Sequence, residues 1–210
     1  MKLDEKVINQ IVEAVVQKLA DQETENTVAA VNAGTGTDVV DGVFQDMAAC
    51  IQATCEAQTK LVALPLEIRR RLIAAIRDTG KANAGDYGRM EFEETGLGKR
   101  HDNVNKNISA CEVMGLEDLA PEVYAGDKGV TIIERLPVGV IASVHPVTNA
   151  APSILFNAIM MLSGGNAVVV NPHPKTKMVS ARVIQDLNKA ITADGGPPNC
   201  LSCLAEPSVP

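Results

Sequence analysis

Aromatic residues are scarce: three Phe, two Tyr and no Trp among 210 residues, although hydrophobic residues make up 46%. The core must therefore be aliphatic. Basic excess is also missing. A net charge of −7 and a pI near 5.0 argue against nucleic acid as a partner, which needs a clustered basic surface. The one basic cluster, Arg69-Arg70-Arg71, lies in a helical pattern and reads as a solvated face. No apolar run approaches the roughly 20 residues of a membrane helix. Residues 1–20 lack a signal peptide's uniform apolar segment, because charges punctuate them. A cytosolic protein without a membrane partner is expected.

Cysteine spacing excludes more. The five cysteines stand at 50, 55, 111, 200 and 203, and only Cys200 and Cys203 form a C-x-x-C. Zinc needs a second pair at ligand spacing, so no metal site is expected. None of the five has the local sequence of an activated nucleophile. A G-x-G-x-x-G phosphate loop is missing too, since Gly34-Thr-Gly36 sits in a linker-like stretch.

What is there falls into four parts. Over residues 1–20, Leu3, Val7, Ile8, Ile11, Val12, Val15, Val16 and Leu19 form one helical stripe opposite charged positions. Such a helix is marginal alone and needs a surface to lie against. Residues 21–41, rich in Thr, Asn, Gly and Ala, have the composition of a flexible linker. A tethered amphipathic helix reads as a docking peptide; the alternative is a helix that folds back onto its own domain. Residues 42–136 are expected to be helical, with stripes over Phe44–Thr59 and Ile68–Ile76 and helices over Ala82–Glu94 and Asn103–Met114. Gly80, Gly85 and Gly88 weigh against helix there, at about 1 kcal/mol each. Tyr124–Arg135 then reads as strand, glycine-bounded turn and strand, a hairpin suited to oligomerisation.

Residues 137–210 change rhythm to β-α-β-α-β. Val138–Val144 and Ala167–Val170 are short apolar runs that stop at Pro, His and Asn, as parallel strands buried on both faces do. Helices over Ala151–Leu162 and Thr176–Ala193 connect them to a third strand at Cys200–Ala205. Right-handed crossovers set the three strands side by side, giving an incomplete doubly wound parallel sheet. Ligands of such sheets bind at the carboxyl edge of the strands.

Glu134-Arg-Leu-Pro-Val-Gly-Val-Ile141, His145-Pro-Val-Thr-Asn149, Gly165-Asn-Ala-Val-Val169 and Pro172-His-Pro174 resemble the CoA-acylating aldehyde dehydrogenases of the aldehyde dehydrogenase superfamily. Glu94-Thr-Gly-Leu-Gly98 and Lys106-Asn107 are further matches, and the likeness is greatest to the acetaldehyde and propionaldehyde enzymes of bacterial microcompartments. The combination spans the whole chain. It implies the N-terminal portion of an aldehyde dehydrogenase fold, with a Rossmann-like sheet preceded by helices and a hairpin. It also implies a short-chain aldehyde substrate, NAD, coenzyme A as co-substrate, a homo-oligomer, and encapsulation in the microcompartment lumen through residues 1–19 by contact with shell or core proteins.

In that family a cysteine thiolate attacks the aldehyde, the adduct gives hydride to NAD, and the thioester passes to CoA. By resemblance, Asn149 is the catalytic carboxamide that holds the oxyanion; its alternative is a cap for the following helix. His145, Pro146, Val147 and Thr148 would lie on the nicotinamide side of the cofactor cleft, and Asn171, Pro172, His173 and Pro174 near the adenosine end. Each histidine could equally be a satisfied structural group. Asn171 replaces a lysine of many non-acylating relatives, and Pro152 stands two residues later than the proline that usually follows the asparagine. No cysteine here matches the catalytic position, so the nucleophile is expected outside these residues and the isolated chain is expected to be inactive. The alternative is a non-catalytic truncated paralogue that acts as an assembly partner.

Overall fold

The computed structural model describes residues 41–207, and the expected docking helix and all but the last linker residue lie outside the described residues. The chain enters through a two-residue strand, β1 (Val43–Phe44), and then α1 (Met47–Val62). The sequence pattern had put Phe44 in the helix. Instead, Asp46 caps α1 by accepting the Ala49 N–H at 2.8 Å, so the helix starts only after it. Cys203 N–H and Ala205 N–H donate to the Gly42 and Phe44 carbonyls at 2.9 and 2.8 Å, which holds the short segment extended.

Two further helices follow, α2 (Leu66–Ala82) and α3 (Ala84–Thr95), and then α4 (Arg100–Ala110). Gly96, at φ 69°, ends α3 in the left-handed conformation, and its N–H donates to the Phe92 carbonyl. Two of the three glycines that weakened the helix prediction, Gly80 and Gly88, are packing sites, whereas a Cβ at Gly85 would meet nothing within 4 Å. A Cβ at Gly80 would stand 2.6 Å from Cys111 Sγ, and one at Gly88 would stand 2.9 Å from the Val104 backbone nitrogen. Close approach of α3 to α4 therefore requires Gly88. The fourth helix begins at Arg100 and ends before the expected Met114, because Cys111 and Glu112 turn back to the Ile108 and Ser109 carbonyls.

The hairpin pairs β2 (Glu122–Gly126) antiparallel with β3 (Gly129–Ile133), and its register sets Val123 opposite Ile132 and Ala125 opposite Val130. Those four residues share one face of the ribbon, and every one of them is exposed.

Beyond it come β4 (Val140–Val144), α5 (Ala150–Ser163), β5 (Ala167–Asn171), α6 (Lys177–Ala193) and β6 (Leu201–Leu204). The strands form a parallel sheet of order β1-β6-β5-β4, so the structure adds β1 to the three strands expected. Alternate residues of β5 serve two cores. Val168 and Val170 pack with Ile154, Leu155, Ile184 and Leu187 of α5 and α6, whereas Val169 joins Phe44 and Cys50. Each fully buried aliphatic side chain contributes about 1.5–3 kcal/mol. Thr54 Oγ1 of α1 donates to Ser202 Oγ at 2.8 Å, and Asn188 Nδ2 of α6 donates to the Leu201 carbonyl at 2.6 Å, fastening helices to β6. No helix among the described residues is long and apolar enough to cross a membrane.

Candidate active site

Strands β4 and β5 run parallel in register from Val140↔Ala167 to Val144↔Asn171, so the segments after them emerge together. After β4 the side chains alternate in environment. Val144 is 78% exposed, His145 is 4% exposed, and Pro146, Thr148 and Asn149 reach the surface with Val147 half-buried. After β5, Asn171 is half-buried and its carbonyl accepts the His145 N–H at 3.0 Å; Pro172 is buried, His173 half-buried and Pro174 exposed. His173 Nδ1 accepts the Lys175 N–H at 3.1 Å, which fixes its ring at the strand terminus.

His145 is the inward member of this group. Its Nε2 lies 2.8 Å from Ser143 Oγ and 3.2 Å from Asn157 Nδ2, a network closed by Asn157 donating to Ser143 at 2.9 Å. Burial pushes its pKa down from the usual value to about 4, so at neutral pH the ring is uncharged.

The helix that follows is capped from elsewhere. Asn149 occupies the N-cap position of α5 (φ −146°, ψ 54°), yet its side chain makes no cap hydrogen bond. Glu91 of α3 supplies one instead, its Oε1 accepting the Ala151 N–H at 3.0 Å. The other carboxylate oxygen receives Asn107 Nδ2 at 3.5 Å. Glu91 is 5% exposed, and burial raises its pKa above the usual carboxylate range despite these bonds and nearby Lys106. One turn later on α3, Glu94 takes the N–H groups of Met178 and Val179 at 2.8 and 2.9 Å and caps α6 in the same way. Two carboxylates three residues apart thus satisfy the positive ends of both sheet-covering helices. The sequence marks Glu94 through the Glu94-Thr-Gly-Leu-Gly98 match, and Glu91 only by its spacing from Glu94. Pro152 is the third residue of α5, where a missing N–H breaks no intrahelical bond, so its displaced position leaves the helix intact.

Capping by Glu91 leaves the Asn149 side chain available. Its Oδ1 accepts from Lys106 Nζ at 3.1 Å, and the same ammonium reaches the Thr148 carbonyl at 3.2 Å. No described residue receives a hydrogen bond from Nδ2. The group borders an open groove of about 470 Å³ shared with Lys106, Ser109, Pro152 and Phe156. On the other side of Lys106, Val147 and Thr148 line a second depression of about 270 Å³ with Glu91 and Gly98. The arrangement presents an unused N–H donor beside a partly apolar groove.

No cysteine lines either depression. Burial raises the pKa of Cys50 and Cys111 to about 11 and of Cys200 and Cys203 to about 12, the reverse of an activated thiol. Cys55 is exposed on α1. Among the described residues no group of three or more His, Cys, Asp or Glu is placed to hold a metal ion.

The aldehyde dehydrogenase family pattern matches residues 15–208. An acetaldehyde dehydrogenase (acetylating) of Bilophila wadsworthia is 38% identical over 211 residues, covering 100% of this chain and 43% of that protein. The corresponding enzyme of Escherichia coli is 38% identical over 208 residues, covering 99% and 42%. A propionaldehyde dehydrogenase structure from a Clostridium phytofermentans fucose-utilisation microcompartment superposes with a TM-score of 0.77 at 38% identity, over 80% of this chain and 39% of that one. The Rhodopseudomonas palustris propionaldehyde dehydrogenase with bound CoA and an acylated cysteine gives 0.78 at 36%, over 81% and 39%. The chain thus spans less than half the length of these relatives. It belongs to the aldehyde dehydrogenase family, and its fold matches the N-terminal portion of CoA-acylating members.

Proposed function

We propose that this chain supplies the oxyanion side and part of the cofactor cleft of an enzyme that oxidises a short-chain aldehyde to an acyl-CoA through a cysteine thioester. The observation that carries this reading is the unengaged Asn149 Nδ2, held beside a groove by a lysine on its carbonyl side. Attack of a thiolate on an aldehyde carbon forms a C–S bond and moves the carbonyl electron pair onto oxygen. Asn149 Nδ2 donates to that oxygen, and one such donor lowers the barrier by about 2.7–4 kcal/mol. The buried cysteines support a nucleophile supplied from outside residues 41–207.

The residues after β4 and β5 fit a nicotinamide dinucleotide in part, and NAD is the form proposed. Pro146, Val147 and Thr148 would border its nicotinamide end, and Asn171, Pro172, His173 and Pro174 its adenosine end. His145 supports the first group from beneath, through its uncharged ring. When bound, the nicotinamide supplies the two-electron acceptor. The N-termini of α5 and α6 are occupied by Glu91 and Glu94 and so do not serve its phosphates. The cofactor therefore binds this chain weakly by itself.

The exposed apolar face of Val123, Ala125, Val130 and Ile132 supports self-association into a homo-oligomer, and the same face would serve an assembly partner without catalytic role. Encapsulation through residues 1–19, contact with shell or core proteins, and a cytoplasmic microcompartment lumen complete the proposal.

The test is a chimaera in which residues 41–207 replace the matching segment of the Escherichia coli acetylating enzyme. CoA-dependent acetaldehyde oxidation is expected, falling on the order of 100-fold in Asn149→Ala. A folded chimaera that is indifferent to Asn149→Ala overturns the reading. The 210-residue chain by itself is expected to form no NADH from aldehyde, CoA and NAD.

A further inference from the structure

Lysine carries three donors and no acceptor, whereas a carboxamide has one end of each kind. Lys106 Nζ lies 3.1 Å from the Asn149 side chain, so the end that faces it must be the carbonyl oxygen. Donation of the same ammonium to the Thr148 carbonyl at 3.2 Å ties Nζ to the loop by a second bond. With Oδ1 so engaged, Nδ2 is directed away from Lys106. A carboxamide flipped by a half-turn would present a carbonyl oxygen to a developing oxyanion and repel it.

We infer that Lys106 is a positioning residue which sets the orientation of the Asn149 carboxamide, so that only its N–H₂ end is offered at the groove. The inference rests on the oxyanion role proposed for Asn149. Its structural basis lies in three elements. Helix α4 presents Lys106, Gly88 lets α4 approach α3 closely, and Glu91 of α3 fixes the first turn of α5 beside Asn149. Asn107, next to Lys106, ties α4 to the Glu91 carboxylate and to the Ala84 carbonyl at 3.4 Å, which keeps the helix from sliding.

The carboxamide can be observed directly in the 210-residue chain, through its side-chain ¹⁵N–¹H₂ resonances. Lys106→Met removes the orienting donor, and the Asn149 pair should move toward the shift of a free asparagine. Lys106→Arg, also donor-only, should keep it near the parent position. Lys106→Glu offers only acceptors, and should pull Nδ2 round to donate to the new carboxylate, with altered contacts to the groove lining. In the chimaera, Lys106→Glu should lower kcat on the order of 100-fold, as loss of an oxyanion donor does, with KM for CoA nearly unchanged and with rescue by Lys106→Arg. Resonances unmoved in both Lys106→Met and Lys106→Glu overturn the inference. So does a full rate in Lys106→Glu when Asn149→Ala is slow. A full rate in Asn149→Ala instead removes the oxyanion role on which the inference rests.

Discussion

Strand β5 and the β2–β3 hairpin are both rich in β-branched residues, yet they lie at opposite extremes of burial. Four of the five β5 residues are buried; nine of the ten hairpin residues are exposed. Propensity made both into strands. What separates them is covering: helices lie against both faces of β5, while among the described residues nothing covers the hairpin's apolar face. A sheet residue's contribution to stability thus depends on the layers above and below it, and among the described residues the hairpin's apolar face has no such layer.

Single aspartates should break that comparison most sharply. Val168→Asp places an unpaired charge in the core and should cost more than about 4 kcal/mol, seen as loss of the cooperative urea transition. Stability at the sheet should also depend on acid. His145 has a folded pKa of about 4 against an ordinary value near 6.5, so its contribution is complete above pH 6.5 and is lost as pH falls through 4. The size is about 3 kcal/mol over that window, and His145→Gln should remove this slope from urea midpoints. Glu91 acts with the opposite sign. Its raised folded pKa makes its contribution present below the ordinary carboxylate value and lost as pH rises through the folded one, so Glu91→Gln should steepen the acid loss.

Gly88→Ala sits between the extremes. Its new Cβ meets the Val104 backbone, and separating α3 from α4 should cost about 1–3 kcal/mol by thermal melting, while also displacing Lys106 from Asn149. Ile132→Asp should be nearly silent in stability, within about 0.5 kcal/mol. Its effect should appear in sedimentation, as a shift toward monomer; unchanged association would remove the interface role from the hairpin.

Much of this was legible beforehand, and the exceptions have physical causes. The β-α-β-α-β rhythm after Pro137 is written in apolar runs and glycine stops, and the strands and helices fall within a few residues of their expected bounds. Strand β1 was not legible. Two residues carry no period, and their pairing partner lies on β6, at the far end of the chain. The helix expected over Ala82–Glu94 is present despite Gly88, and the helix before it runs on through Gly80, because a helix propensity counts the local cost of glycine and cannot see the groups packed against it. At the site, Asn149 could be named from its motif. Whether it capped α5 or stood free depended on Glu91, a residue of another helix.

The sequence by itself determined the parallel sheet, the hairpin and the family, because periodicity and short motifs are local properties of the chain. Tertiary structure alone decided that Glu91 caps α5, that Lys106 holds one end of the Asn149 carboxamide, and that four of the cysteines are buried, which raises their pKa. Each of those facts depends on which distant side chain stands within a few ångströms, and that distance exists only once the layers have packed.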